Sequence, residues 1–158
     1  MQWKEVCEHQ SLQNLPFKIE LNEKGQIVMS PVKVYHSAIQ GKISRLLPGI
    51  GIVLPECAIK TEKGTKVADI AWATEERFKI IEHEAECSIA PEICIEVLSS
   101  SNTNNEMEEK RLLYIAAGAI EFWICTENGE LTFFNAKGKI EKSKLAPDFP
   151  SRVSLWSN

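Results

Sequence analysis

The chain has 158 residues, a formal net charge of −4, and 44% hydrophobic and 25% charged residues. This length fits one domain that buries a core without metal or disulfide staples, and the acidic balance argues against a general nucleic-acid binder. No apolar run approaches the ~18–20 residues of a membrane span, and the start MQWKEVCEHQ has no basic stretch leading into an apolar one, so a cytoplasmic protein is expected.

Residues 2–13 predict a short helix. FKIEL and QIVMS flank the turn NEKG, which predicts an N-terminal β-hairpin. Ser30 and Pro31 are expected to open the next helix, because proline is tolerated in a first turn. From Val34 to Leu47, apolar residues at 34, 38, 39, 43, 46 and 47 follow helical spacing with one buried stripe. His36 and Gln40 stack on one side of that helix, and Pro48-Gly49 ends it. GIVLPECAIKT, EKGT and KVADIAW then predict strand, turn and strand. Residues 75–92 are acidic and irregular, an expected surface loop with a helical turn around TEERFKII. ICIEVLS, residues 93–99, is a near-continuous apolar run, the pattern of a strand covered on both faces. Thr103 and Glu106 fit a capping box for a helix over 104–117, with Gly118 just beyond it. AIEFWICT predicts a strand, Asn128-Gly129 a hairpin turn, and ELTFFN with KIEKSKL a C-terminal β-hairpin. The strand–helix–strand unit in the middle makes the fold class α/β: a central mixed β-sheet flanked by helices, in a single domain over residues 1–158.

Charge is uneven along the chain. Residues 1–67 hold nine Lys/Arg against six Glu, whereas residues 68–158 hold nine against sixteen acids. A phosphate-facing surface would therefore draw on Lys33, Lys42, Arg45, Lys60, Lys63 and Lys66. The five cysteines, Cys7, Cys57, Cys87, Cys94 and Cys125, include no CxxC pair. Neither a disulfide framework nor a structural zinc site is expected. Cys94 and Cys125 lie in apolar strands and read as core thiols.

The informative anomaly is acid in apolar strands. In KVADIAW, Asp69 shares a strand face with Val67 and Ala71; in ICIEVLS, Glu96 shares one with Cys94 and Leu98. An unpaired buried carboxylate costs several kcal/mol or takes up a proton. Two such groups side by side would also repel each other. A divalent cation between them removes both penalties, and hard oxygen donors suit Mg²⁺ or Mn²⁺. The alternative is that each acid ends a strand at the surface or pairs with an arginine. Lys110 shares a helix face with Met107, Tyr114 and Ala117 and is placed to reach back to the end of the preceding strand. A surface pair with Glu106 is the alternative. Glu121, beside Trp123 and Cys125, is a third odd acid, either near the site or in a strand-end salt bridge. His36 and Gln40 are candidates to complete the site from their helix. The motifs of phosphate-binding loops, dinucleotide folds, serine hydrolases and zinc proteases are absent.

VADIAW, PEICIEVLSSSN and EEKRLLYIAAGAIEFWI resemble the bacterial Uma-two family, long labelled a domain of unknown function and described as restriction endonucleases. That family belongs to the PD-(D/E)XK nuclease superfamily. ELNEKGQIVMSP and YHSAIQGKISRLL resemble its N-terminal half, so the likeness spans roughly residues 12–135. The resemblance implies a restriction-endonuclease-like fold, Asp69 and Glu96 as catalytic metal ligands for Mg²⁺ or Mn²⁺, cleavage of nucleic acid, DNA in the first instance, and a homodimer. The chain departs from the pattern at Ala68, where the motif has proline, and at Leu98, where it has lysine; Lys110 is the matching position for a lysine moved to the helix. It also carries Thr126 where the family often has aspartate.

Two functions lead this reading, ahead of a third, an enzyme acting on a different phosphate or small molecule. One is a metal-dependent endonuclease in which Asp69 and Glu96 hold the ion and Lys110 assists, with Gln40, His36, Glu121, Tyr114 and Ser99 as possible auxiliaries. The other is a non-enzymatic binding or assembly module that keeps the fold with a weakened site.

Overall fold

In the computed structural model, which describes residues 1–156, the chain forms two sheets of unequal size. The first strands, β1 (Phe17–Leu21) and β2 (Ile27–Pro31), pair only with each other. Their turn is closed by Asn22, whose backbone N–H donates to Gln26 O. The main sheet has six strands in the order β3 (Ile52–Thr61), β4 (Gly64–Ala73), β5 (Ile93–Val97), β6 (Glu121–Cys125), β7 (Leu131–Asn135) and β8 (Gly138–Ile140). Among the described strands only β5 and β6 pair in parallel, and they are joined by the helix α4 (Asn104–Ala116). The other neighbours are antiparallel, so the sheet is mixed. The alternation of side chains along the strands separates two cores. On one face Ile39 and Ile43 of α2 (Val34–Leu46) meet Ile70, Trp72, Ile93 and Ile95. On the other, Met107 and Tyr114 of α4 and Ile81 of α3 (Glu75–Ile81) meet Ala71, Cys94 and Phe122. Every residue of β5 is buried, as its continuous apolar run predicts.

Several local expectations change. The first helix, α1 (Trp3–Glu8), is shorter than expected; His9 is extended, and a 3-10 turn over Gln10–Leu12 follows. Pro31 ends β2 rather than opening a helix, and α2 begins at Val34. Residues 75–92 are more than a surface loop. Thr74 caps α3, and the buried Glu92 accepts from both the Thr74 N–H and its hydroxyl, at 3.1 and 2.6 Å. Cys87 bridges to Ile59 on β3. The stretch KIEKSKL keeps strand structure only to Ile140, because the backbone N–H groups of Lys144 and Leu145 donate to Glu121 instead of to a ladder. Thr103 and Glu106 make the capping box of α4, and Gly118 takes a positive φ of 118° beyond it.

Gly64, at the β3–β4 turn, has a φ of +88°, and a Cβ there would run into the backbone oxygens of Leu21 and Asn22. Absence of a side chain therefore lets the first hairpin lie on the main sheet. Among the described residues no helix is long and apolar enough to cross a membrane.

Candidate functional site

The register of the main sheet brings the two anomalous acids together. Ala71 pairs with Cys94 and Ile70 with Ile95, so the next step sets Asp69 against Glu96. The ladder ends there. The Val97 N–H donates instead to Asp69 Oδ2 at 2.8 Å, and β5 continues along β6 through Leu98 N–H to Cys125 O. Both acids are about 2% exposed. Buried acids without partners would destabilise the fold; Asp69 instead meets donors from β1, α2 and β5, and Glu96 meets donors from β1 and α4.

Lys18 on β1 lies between them. Its Nζ is 3.1 Å from Asp69 Oδ1 and 3.1 Å from Glu96 Oε2. Lys110 on α4 donates to Glu96 Oε1 at 2.6 Å and to Glu20 Oε2 at 2.9 Å. The Tyr114 hydroxyl donates to Glu96 Oε1 at 3.2 Å. From α2, His36 Nε2 sits 3.3 Å from Asp69 Oδ2 and 3.1 Å from the Val97 carbonyl. Its Nδ1 is buried with no hydrogen-bond partner among the described residues. The structure therefore brings Asp69, Glu96, Lys110, His36 and Tyr114 to one place, and adds Lys18 and Glu20.

The electrostatics follow from burial opposed by charge. Burial acts to raise the Asp69 carboxyl, but Lys18, His36 and the Val97 N–H outweigh it and hold the group well below the usual carboxylate range. Burial pushes the Glu96 carboxyl up to about 7 against the pull of Lys110 and Lys18, with Asp69 and Glu20 adding to the rise. Burial would lower the Lys18 ammonium, yet Glu96, Asp69 and Glu20 together hold it far above its ordinary value. The hydrogen bond to Asp69 raises His36. One acid is thus firmly ionised, its neighbour is poised near neutrality, and a fixed ammonium stands between them.

The acids form the floor of a cleft of about 480 Å³. Lys63, Lys66 and Ser99 line it, with Glu106 and Glu109 among its acidic members. Lys63 pairs with Glu109 at 2.6 Å and Lys66 donates to Leu21 O. Lys33 lines a neighbouring groove that shares His36 and Val97 as a wall. Lys42, Arg45 and Lys60 line neither. Ser99 uses its backbone N–H and hydroxyl on Asn102 Oδ1.

Two expected residues lie elsewhere. Gln40 is one turn beyond His36 on α2 and donates to Glu56 on β3 at 2.8 Å, away from the acids. Glu121 is buried at the start of β6, whereas the site is at the far end of the parallel strand β5. Its carboxylate accepts from Trp123 Nε1, Ser143 Oγ and the N–H groups of Lys144 and Leu145, which makes it a structural clamp for the C-terminal segment. Lys18 and Glu20 escaped the reading of the sequence. In FKIEL they occupy one face of a hairpin strand, the alternation that normally marks a solvated face.

Among the described residues, no three His, Cys, Asp or Glu side chains are grouped to hold a metal ion. The donor set still fits a hard divalent ion: two carboxylates and the Val97 carbonyl are oxygen donors. The Lys18 ammonium, equidistant from Asp69 and Glu96, is a stand-in cation at that position.

A family model described as "Uma2: Putative restriction endonuclease" matches residues 3–154. Among solved structures, a protein described as "a putative nuclease belonging to DUF820" from Anabaena variabilis ATCC 29413 is similar. It superposes with a TM-score of 0.72 at 18% identity, over 98% of this chain and 95% of that one. No curated protein matches the sequence.

Proposed function

This chain belongs to the Uma2 family, and on that premise we propose that it is a nuclease that hydrolyses phosphodiester bonds of nucleic acid, DNA in the first instance, with Mg²⁺ or Mn²⁺. The observation that carries the reading is the meeting of Asp69 and Glu96 where β4 and β5 part, with Lys110 at 2.6 Å from Glu96.

Asp69, Glu96 and the Val97 carbonyl are the groups to hold the ion. When bound, a divalent ion supplies an acidified water and offsets charge on the phosphate. Tyr114 and the Val97 N–H fix the two carboxylates by hydrogen bonds. His36 holds the same Asp69 oxygen that accepts the Val97 N–H. Lys110 keeps an ammonium at the cleft floor, where it steadies negative charge that develops on a phosphate oxygen. Lys63 and Lys66 on the cleft wall meet the nucleic-acid backbone, a contact whose strength falls with salt.

The test is cleavage of single- and double-stranded DNA and RNA with Mg²⁺ or Mn²⁺ by wild type, Glu96→Ala and Lys110→Ala. Wild type is expected to cleave and both variants to fall by roughly 100-fold or more. Activity retained in Glu96→Ala overturns the assignment. One observation favours a second reading, a binding or assembly module: Lys18, Lys110 and His36 already neutralise both acids. That reading predicts nucleic-acid binding without cleavage under every metal condition. A cytoplasmic homodimer belongs to the leading proposal, and a sedimentation mass near 17.8 kDa at all concentrations overturns the dimer.

A further inference from the structure

We infer that Lys18 holds the cation position of this site and that a divalent ion binds by displacing it. The inference rests on the metal-dependent reading above.

The geometry leaves one position for one cation. Lys18 Nζ is 3.1 Å from Asp69 Oδ1 and 3.1 Å from Glu96 Oε2, and 3.4 Å from Glu96 Oε1. It is the only cationic group among the described residues that touches both acids. Lys110 reaches Glu96 and Glu20, and His36 reaches Asp69 alone. A Mg²⁺ ion coordinates oxygen at about 2.0–2.1 Å. An ion held by the same two carboxylates would need the space between them that the ammonium fills. Two cations in contact there would repel strongly in a buried setting. The acids gain little from a second cation while Lys18 satisfies them, so the ammonium weakens metal binding by the full cost of its removal.

Lys18 also has somewhere to go. It is on the wall of the 480 Å³ cleft, at the end of a long flexible stem. Its strand β1 pairs only with β2, so its release breaks no rung of the six-stranded sheet. By contacting both acids, the ammonium offsets their mutual repulsion in the metal-free protein.

The test is Mn²⁺ binding by calorimetry to the metal-free full chain, comparing wild type, Lys18→Met and Lys18→Arg. Lys18→Met removes the competitor and is expected to bind Mn²⁺ roughly tenfold tighter or more. Lys18→Arg keeps the charge and is expected to bind no tighter than wild type. Lys18→Met is also expected to melt lower without metal and to gain more than wild type from Mn²⁺. A second measurement needs no variant: acylation of wild-type Lys18, read by mass spectrometry, should be slow without metal and rise when Mn²⁺ saturates. Equal or weaker binding by a folded Lys18→Met, or metal binding with unchanged Lys18 acylation, overturns the inference and leaves the nuclease reading standing. No Mn²⁺ binding by either protein overturns both.

Discussion

Lys110 and Glu20 meet at 2.9 Å although 90 positions separate them along the chain. The same Glu20 oxygen accepts the Val67 N–H at 2.7 Å, so a single carboxylate ties the first hairpin to β4 and to α4. Burial acts to raise its carboxyl, but Lys110, Lys18 and the Val67 N–H prevail and hold it low. Glu20→Ala is expected to cost about 2–3 kcal/mol, since hydrogen bonds to charged groups are lost and a buried donor is left without a partner. Glu20→Gln, which can still accept from Val67, should cost less. Urea unfolding with an unchanged midpoint in Glu20→Ala would show that this carboxylate does not hold the hairpin.

The metal-free fold should be most stable under mildly acidic conditions. The Glu96 carboxyl is raised from 4.5 to about 7, so its contribution is complete below the lower value and lost as pH rises to the upper one. His36 is raised from 6.5, and its contribution likewise fades as pH rises beyond that value. Asp69 is lowered from 3.8, so its contribution is present above that value and lost on further acidification. The melting temperature is expected to be higher at about pH 5.5 than at about pH 8, with Glu96 supplying on the order of 1 kcal/mol of the difference. Glu96→Gln should flatten this slope. A wild type that gains stability steadily up to pH 8 would contradict the shifts.

Glu121 separates structure from chemistry. It accepts four hydrogen bonds at the opposite end of the parallel pair from the site. Glu121→Ala is expected to destabilise by about 3 kcal/mol or more, because it leaves several buried donors unpaired. The rise in melting temperature expected with Mn²⁺ should match that of wild type. A selective loss of that metal response would return Glu121 to the site.

Lys110 should act on turnover rather than on metal retention. Lys110→Met is expected to lower cleavage by about 100-fold while Mn²⁺ affinity changes only a few-fold, and Lys110→Arg to recover part of the rate. Full cleavage by a folded Lys110→Met would remove this residue from the mechanism.

The architecture was legible because the two periodicities were clean. The apolar run of β5 and the capping box of α4 announced a strand, a crossover helix and a second strand. Asp69 and Glu96 stood out because each breaks an apolar strand, and the same cue singled out Glu121. That cue reports burial, not purpose: Glu121 is buried to fasten backbone N–H groups of the C-terminal segment. Gln40 shares the side of α2 that carries His36, but one turn of about 5.4 Å carries it past the acids to Glu56. Lys18 and Glu20 gave no cue at all, because partners 51 and 47 positions away are what make their strand face an interior one.

Gly64 contributes no functional group, yet its bare backbone is what allows Leu21 and Asn22 to lie against the β3–β4 turn. Any side chain there must lift the hairpin, and with it the residue three positions before Leu21 whose ammonium balances the two acids. A substitution chosen as a remote control can thus unbalance the charges at the cleft floor, and altered metal response in such a variant should be read as hairpin displacement before it is read as altered chemistry.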